Sequence, residues 1–133
     1  MFTYQTTIKM HETDAAGFLF FGALFTIAHD VYEEFLESAG FTISSILKSS
    51  EFLIPIVHAE SNYYIPVSVS DKITVQLQVE NISEHSYTIL YDFLNEMGKI
   101  IGNAKTVHAV IDRRNRNKMK IPDDLIASLN KFK

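Results

Sequence analysis

The sequence contains no cysteine. Disulfide bonds, thiolate metal sites and a cysteine nucleophile are therefore excluded. The chain also lacks three other motifs: a His-Glu-x-x-His metal spacing, a Gly-x-Ser-x-Gly nucleophile elbow and a glycine-rich phosphate loop. We therefore expect no metal site, no serine-hydrolase elbow and no nucleotide-binding loop.

Excess positive charge and a long apolar run are missing as well. Sixteen acidic residues outnumber twelve basic ones, so the formal net charge is −4, and attraction to nucleic acid or anionic membrane is not expected. The most apolar run, residues 15–28, stops at His29, short of the ~20 apolar residues of a membrane-spanning helix. The N-terminus lacks a signal-peptide pattern. We expect one cytoplasmic domain over residues 1–133.

A long helical pattern is present between Gly22 and Ala39. Its apolar side chains share an arc of about half the helix circumference, wider than the stripe of an ordinary surface helix. The arc predicts a deeply packed helix cradled by a curved sheet, and Gly40 follows as a typical C′ residue. His29 falls at the border between the apolar and polar arcs.

Alternating patterns predict five strands around this helix. They cover residues 2–10, 55–65, 72–80, 87–93 and 100–112. A polar connection with a helical turn is predicted over residues 42–52, and a short final helix over 122–132. Because the connections between strands are mostly short, we expect antiparallel neighbours and an α+β fold with one sheet wrapped around one helix. The open sheet edges predict a homodimer, with a tetramer as an alternative.

The carboxylate of Asp14 stands in a turn of small residues just before the helix. Gly17 and Gly22 would let a substrate approach closely, and the amides at the helix start, around Phe21, could bind a developing oxyanion. Aspartate could attack an activated acyl group or take a proton from water. The alternative is an aspartate that only holds a turn or caps the helix, which is a common role.

Three further groups of polar residues are candidates. His29 could orient water or bond a substrate carbonyl, or it could pair with Glu33 one helical turn later. His58 and Glu60 share a strand face and could line a substrate pocket or face solvent. A basic cluster near the C-terminus could bind the phosphates of a nucleotide-like cofactor or form a solvated turn; it comprises Arg113, Arg114, Arg116, Lys118 and Lys120.

The segment from Glu12 to Gly17, the aromatic residues after it and a helix with an acidic C-terminal half resemble the hotdog-fold acyl-CoA thioesterases of the 4-hydroxybenzoyl-CoA thioesterase type. Their pattern is Asp-x-Asp-x-x-Gly, and Glu12 stands here at the first Asp. The resemblance implies a hotdog fold, a catalytic role for Asp14 and an oxyanion contact from the Phe21 amide. It also implies an active site at a dimer interface, lined partly by the partner's second strand. CoA would be part of the substrate, so no cofactor is implied. Arg113 and Arg114 of the basic cluster are then the predicted contacts of CoA.

Within that family the chain looks most like the 1,4-dihydroxy-2-naphthoyl-CoA hydrolases. The shared segments are Thr13 to Gly17, His29 to Glu33, and His58 to Ser61. This resemblance implies hydrolysis of an aromatic acyl-CoA. Phe18 and Phe20 replace smaller or hydroxylated residues common there, so a thioesterase for short aliphatic acyl-CoA or acyl carrier protein, or a non-catalytic acyl-CoA-binding protein, stays open.

Overall fold

A computed structural model of the chain describes residues 1–49 and 51–133, apart from the side chain of Ser49. In chain order the elements are β1 (Phe2–Thr7), a 3₁₀ turn (Met10–Glu12), α1 (Phe21–Ser38), α2 (Ile43–Ser49), β2 (Phe52–Leu53), β3 (Ile56–Tyr63), β4 (Lys72–Ile82), β5 (Ser86–Leu94), β6 (Ile100–Ala109), β7 (Ile111–Asp112) and α3 (Asp123–Asn130). Five of the strands form an antiparallel sheet in the order β1-β4-β5-β6-β3. The predicted α+β architecture is confirmed. No helix within the described ranges is long and apolar enough to cross a membrane.

Helix α1 lies against the inner face of this sheet. Its buried side chains all belong to the predicted apolar arc: Leu24, Ile27, Ala28, Val31, Tyr32, Phe35 and Leu36. Burying one large apolar side chain contributes about 1.5–3 kcal/mol, so packing against the sheet stabilises α1 more than helix propensity does. Gly40 follows the helix with φ +90°, a left-handed conformation that glycine adopts without strain.

The alternation in β4 and β5 places apolar residues inward, as predicted. The buried residues are Ile73, Val75, Leu77 and Val79 on β4 and Tyr87, Ile89, Tyr91 and Phe93 on β5. The intervening residues on β4 are exposed, as at Lys72 and Gln78, or half-buried, as at Thr74 and Gln76. This sheet therefore has one apolar face, which receives α1, and one polar outer face.

The expectation that short connections join neighbouring strands is wrong for β3 and β4. These strands are separated by β5 and β6 in the sheet. The connecting residues 64–71 can span about 26 Å when extended, more than the roughly 14 Å across three strand spacings. The crossing is held by Leu19 N–H donating to Val67 O at 2.8 Å and Ser70 N–H donating to Ile8 O at 2.8 Å.

The prediction of one continuous last strand over residues 100–112 is also wrong. It breaks at the buried Val110, whose N–H donates to His85 O at 2.8 Å. The chain then enters β7, which pairs with β2 and not with the main sheet. This small second sheet was not predicted. The predicted helical turn in the connection is α2, while Ser50 of that connection lies outside the described residues.

Strand β3 forms one edge of the sheet, and the rest of the described chain buries little of it. Seven of its residues are exposed and Ser61 is half-buried. Its outward row is His58, Glu60 and Asn62, opposite Val107, Lys105 and Asn103 of β6; its inward row is Ala59, Ser61 and Tyr63, opposite Thr106, Ala104 and Gly102. An edge strand exposed on both faces is a surface suited to pairing with another chain.

Candidate active site

The turn at Asp14 is closed by the side chain of that residue. Asp14 Oδ1 accepts hydrogen bonds from the N–H groups of Ala16, at 2.9 Å, and Phe18, at 3.2 Å. The backbone N–H of Asp14 donates to Phe18 O at 2.8 Å, and Gly17, with φ +83°, completes the turn. Asp14 is exposed, and among the described residues Oδ2 accepts no hydrogen bond. One carboxylate oxygen therefore serves the turn while the other faces outward.

This turn leads directly into the start of α1. The Phe20 N–H donates to the backbone oxygen of Glu12 at 2.8 Å. The carboxylate Oε1 of the buried Glu12 accepts from the Lys9 N–H at 2.8 Å, so Glu12 holds the chain both before and after the Asp14 turn. Phe20 is the N-cap of α1 and gives no side-chain capping bond. The first amides of a helix, here those of Phe21 and Gly22, have no acceptor within it. They form the positive end of the helix dipole.

A cavity of about 390 Å³ opens beside the turn. We call it the Asp14 cavity; its lining includes Asp14, Phe18, Phe21, Leu24, Tyr63 and Tyr64. The arrangement therefore places a carboxylate and the N-terminus of α1 around one space. That geometry can bind a polarised carbonyl and deliver an oxygen nucleophile or base to it.

Tyr63 and Tyr64 at the end of β3 were not predicted as site residues. The Tyr63 hydroxyl donates to the backbone oxygen of Phe21 and accepts from Ser61 Oγ at 2.9 Å. Tyr63 therefore ties the sheet edge to the first turn of α1. The sequence signal was a pair of adjacent tyrosines at the end of a strand, but alternation alone assigns them only to opposite faces.

Neither predicted glycine lines the Asp14 cavity. Gly17 has open space around it, and a Cβ there would meet no atom within 4 Å. Gly22 is covered by the Phe20 ring, which would lie 2.9 Å from an added Cβ. Their role in this chain is to shape the turn and to fit the ring against the helix start, and direct substrate contact stays a prediction.

His29 lies in a different part of the chain from Asp14. It is exposed on α1 and lines a second cavity of about 370 Å³, which we call the His29 cavity. The lining of this cavity includes His29, Tyr32, Leu36, Ile46, Pro55 and Arg116. Across the described ranges, the two cavities share no lining residue, and no hydrogen bond or ion pair joins His29 to Glu33. The structure of one chain therefore does not bring Asp14 and His29 together.

Behind His29 lies a buried group of polar residues, the tyrosine–histidine cluster (Tyr32, Tyr87, Tyr91, Thr106 and His108). The hydroxyls of Tyr32 and Tyr87 are hydrogen-bonded to each other. The His108 ring stacks on both tyrosines, with centroids 4.2 and 5.2 Å away. Thr106 Oγ1 lies 2.7 Å from His108 Nε2 and 3.0 Å from the Tyr91 hydroxyl. Most of the cluster's polar atoms are satisfied inside the core, as buried groups require.

Burial keeps this cluster uncharged. It lowers the pKa of His108 from 6.5 to about 3, and charge on the nearby His29 is a smaller cause in the same direction. It also raises the pKa values of Tyr32, Tyr87 and Tyr91 above the ordinary value of 10. In each case the low-dielectric interior disfavours the charged form. A neutral, stacked histidine is suited to structure more than to proton transfer.

His58 and Glu60 lie on the polar outer face of β3, away from α1. Their side chains are exposed, and His58 Nε2 lies 3.4 Å from Glu60 Oε1. The fold does not bring them to the Asp14 cavity of the same chain. Their predicted contact with substrate stays a prediction.

The two predicted CoA contacts follow β7. Arg113 donates to the backbone oxygens of Ile46 and Leu47, the second at 2.6 Å, and so stabilises the C-terminal turn of α2. The Asp112 carboxylate accepts from the N–H groups of Asn115 and Arg114, and these two bonds hold its pKa below the ordinary value. The Arg114 side chain is exposed. The basic cluster is thus an ordered turn whose contact with CoA stays a prediction.

Comparisons with known proteins identify the family of the chain. Residues 8–129 match the model of the thioesterase-like superfamily. Two curated proteins named 1,4-dihydroxy-2-naphthoyl-CoA hydrolase are similar to this chain. The one from Crocosphaera subtropica is 36% identical, over 90% of this chain and 88% of that protein. The one from Rippkaea orientalis is 33% identical, over 92% and 91%.

The fold is shared with a solved relative. The crystal structure of a 1,4-dihydroxy-2-naphthoyl-CoA thioesterase from Synechocystis matches with a TM-score of 0.92 at 26% identity, covering 97% of this chain and 95% of that one. The predicted hotdog fold is therefore confirmed. On the match of residues 8–129 and the identity of these relatives, the chain belongs to the thioesterase-like superfamily.

Proposed function

We propose that this protein hydrolyses 1,4-dihydroxy-2-naphthoyl-CoA to the free aromatic acid and CoA. The observation that carries the proposal is the Asp14 cavity, in which a carboxylate and the start of α1 face the same space. The names of the similar curated proteins support the aromatic acyl group. CoA enters as part of the substrate, and no metal ion is given a role.

In this proposal the thioester carbonyl lies between Asp14 and the first turn of α1. The amides of Phe21 and Gly22 donate to the carbonyl oxygen as it gains negative charge. Oδ2 of Asp14 either attacks the carbonyl carbon or takes a proton from the attacking water. The carbon–sulfur bond then breaks, and CoA leaves as a thiolate that takes up a proton. In the first route, water hydrolyses the resulting acyl-aspartate anhydride.

Oxygen-18 from water can show attack by the carboxylate. A single turnover in H₂¹⁸O, with enzyme in excess, places the label on Asp14 if the carboxylate attacks and water then opens the anhydride at Cγ. The label appears only in the product acid if Asp14 activates water, or if water opens the anhydride at the acyl carbon. Label found by mass spectrometry on the peptide carrying Asp14 therefore demonstrates the first route.

The working unit in this proposal is a homodimer joined at β3. Among the described residues, no strand pairs with the outer edge of β3, and this strand is exposed on both faces. Large exposed apolar residues continue along it and onto the neighbouring turn: Ile56, Val57, Tyr63, Tyr64, Ile65 and Phe18. Edge pairing would satisfy the free backbone groups and cover these side chains. Light scattering of the purified protein should give the mass of a dimer or of a tetramer built from dimers.

A panel of acyl-CoA substrates tests the reaction. It should include 1,4-dihydroxy-2-naphthoyl-CoA, benzoyl-CoA, and straight-chain acyl-CoA of four to eight carbons, with free CoA release measured at each concentration. We expect kcat/KM to be highest for the naphthoyl substrate, by at least ~10-fold over the aliphatic ones, since one bicyclic ring adds several buried carbons. A preference for aliphatic chains would contradict the proposed aromatic acyl group. Binding without hydrolysis of any panel member would contradict the proposal that the protein is a thioesterase.

A further inference from the structure

The backbone oxygen of Phe21 accepts a hydrogen bond from a side chain outside α1. The donor is the hydroxyl of Tyr63, at the end of β3. This hydroxyl in turn accepts from Ser61 Oγ at 2.9 Å. Because a carbonyl oxygen can only accept, the single proton of the Tyr63 hydroxyl points to Phe21, and the proton between the two hydroxyls comes from Ser61. The chain of hydrogen bonds therefore runs in one direction, from Ser61 through Tyr63 to Phe21.

The carbonyl that Tyr63 bonds belongs to the same peptide group as the N–H of Gly22. That group is planar and trans, so its oxygen and its N–H point in opposite directions. The N–H groups of a first helical turn point out of the N-terminus, and within the described part of the chain the Gly22 N–H donates to no backbone oxygen. Tyr63 therefore holds, from behind, a peptide group whose N–H is free to donate to a substrate.

A hydrogen bond to a peptide oxygen also makes the N–H of that peptide a stronger donor. The bond draws electron density toward the oxygen, and linked hydrogen bonds polarise one another in this way. The stronger donor matters most against a full negative charge, which the thioester oxygen gains in the tetrahedral intermediate. In the bound substrate the same oxygen carries only a partial charge. The contact therefore favours the transition state more than the bound substrate.

The sheet leaves room for this contact opposite Tyr63. The residue across from Tyr63 on β6 is Gly102. A Cβ at Gly102 would lie 2.7 Å from the backbone oxygen of Asn62 and 3.5 Å from Leu24 Cδ1. A larger side chain there would press on both β3 and the first turn of α1. Its absence lets the start of α1 lie close to the end of β3, where the Tyr63 hydroxyl reaches Phe21.

We propose that Ser61 and Tyr63 are positioning residues for thioester hydrolysis and act through the peptide group between Phe21 and Gly22. Tyr63 orients and polarises this group, and Ser61 holds the Tyr63 hydroxyl in place. Neither hydroxyl exchanges a proton with the substrate. The inference rests on the proposed thioesterase function and goes beyond it by giving two residues of β3 a role in stabilising the oxyanion.

Removal of the Tyr63 hydroxyl tests this role. Tyr63→Phe keeps the ring that lines the Asp14 cavity. Loss of a direct oxyanion donor costs ~100- to 1,000-fold in kcat, so loss of the support behind it should cost less, about 10-fold. Because the oxyanion forms only on the way through the transition state, kcat and kcat/KM should fall together while KM stays the same. Ser61→Ala should act in the same way but lower kcat only about 2- to 3-fold. Steady-state release of CoA from 1,4-dihydroxy-2-naphthoyl-CoA measures these constants.

Two further variants separate polarisation from packing. Tyr4→Phe removes a hydroxyl from β1, at the opposite edge of the sheet, and should leave both kcat and KM unchanged. Tyr63→3-fluorotyrosine, introduced at this single site, keeps the shape of the side chain and makes its hydroxyl a more acidic and stronger donor. In assays at about pH 6.5, where the hydroxyl stays protonated, kcat should rise above the wild-type value. A purely steric role would leave kcat unchanged.

The outcomes separate this inference from the proposed function. If the wild-type protein hydrolyses no member of the acyl-CoA panel, the proposed function fails and the positioning role fails with it. If the wild type is active but Tyr63→Phe keeps kcat within about twofold, or changes only KM, hydrolysis stands and the positioning role is overturned. Circular dichroism at the assay temperature checks that each variant is folded. If Tyr63→Phe is unfolded, the 3-fluorotyrosine variant decides: a raised kcat supports the role, and an equal or lower kcat overturns it.

Discussion

Two polar regions lie along the same helix, one exposed to solvent and the other buried in the core. The Asp14 turn at the N-terminal end is exposed, and one carboxylate oxygen faces outward. The tyrosine–histidine cluster under the middle of α1 is buried, and its groups bond mainly to one another. Both regions concentrate side chains that can carry protons. Only the first leaves such a group open to a substrate.

The difference shows what burial does to reactive chemistry. Inside the core, the loss of water shifts the pKa values of His108 and the tyrosines toward their neutral forms. The tyrosine hydroxyls and His108 Nε2 then serve hydrogen bonding, and the rings serve packing. The Asp14 carboxylate stays in contact with solvent and lines the same cavity as Phe21, the first residue of α1. Substitutions in the first region should change turnover, and those in the second should change stability.

The largest effect is expected at Asp14. Asp14→Asn keeps an oxygen that can accept from Ala16 and Phe18, so the turn should persist and the free energy of unfolding should change by less than about 1 kcal/mol. Turnover should fall at least ~100-fold, because the amide is neither a nucleophile nor a base. Steady-state kinetics and urea unfolding of the same preparation measure both. Asp14→Ala should lose turnover and also loosen the turn, and an active Asp14→Asn enzyme would show that Asp14 is only a turn residue.

The next effect is a loss of stability in acid that comes from His108. Its pKa is about 3 when folded and 6.5 when unfolded, so the unfolded chain binds a proton that the folded chain rejects as pH falls below about 6.5. Stability from this residue is therefore complete above pH 6.5 and is lost on the way down to pH 3. Lowering the pH from 7 to 5 should remove about 2 kcal/mol.

Urea unfolding as a function of pH measures this loss. His108→Gln, which cannot titrate, is the matched control, and its stability should fall less steeply over the same range. Equal slopes for the two proteins would mean that other groups cause the acid sensitivity.

A loss of stability of similar size is expected when one hydroxyl of the Tyr32–Tyr87 pair is removed. Tyr87→Phe leaves the buried Tyr32 hydroxyl without its partner, which should cost about 1–3 kcal/mol. Turnover should stay near the wild-type value, because Tyr87 lines neither cavity in the described part of the chain. Replacing both tyrosines with Phe should cost less than the sum of the single changes. Additive costs would show that the two hydroxyls are independent.

The main elements of the fold could be predicted because their patterns are local. The arc of α1, the alternation of β4 and β5 and the final helix all follow from which residues must be buried. The crossing from β3 to β4 could not be predicted, because a connection that is long enough to cross looks the same in sequence as one that turns back. The β2–β7 pair consists of two residues on each side, too few for any periodicity.

The candidate site was predictable only in part for a similar reason. Asp14 and the helix start are adjacent in sequence, so their proximity follows directly from the turn. Tyr63 reaches Phe21 from another element, and that contact depends on the position of β3 in the sheet. His29 was a candidate for the same reaction as Asp14, and both lie on one turn-and-helix unit of the sequence. The length of α1 separates them within a single chain.

The smallest effect is expected at Gly17. The space beside this residue admits a larger side chain, but its backbone conformation disfavours residues other than glycine. An added Cβ would meet no atom within 4 Å, yet φ is +83°. Gly17→Ala should therefore cost only the left-handed strain, about 1 kcal/mol, measured by thermal unfolding. Asn adopts this conformation more readily, so Gly17→Asn should cost less than Gly17→Ala. If the two variants are equally destabilised, the loss comes from bulk near the turn, and the open space beside Gly17 must then be occupied in the working dimer.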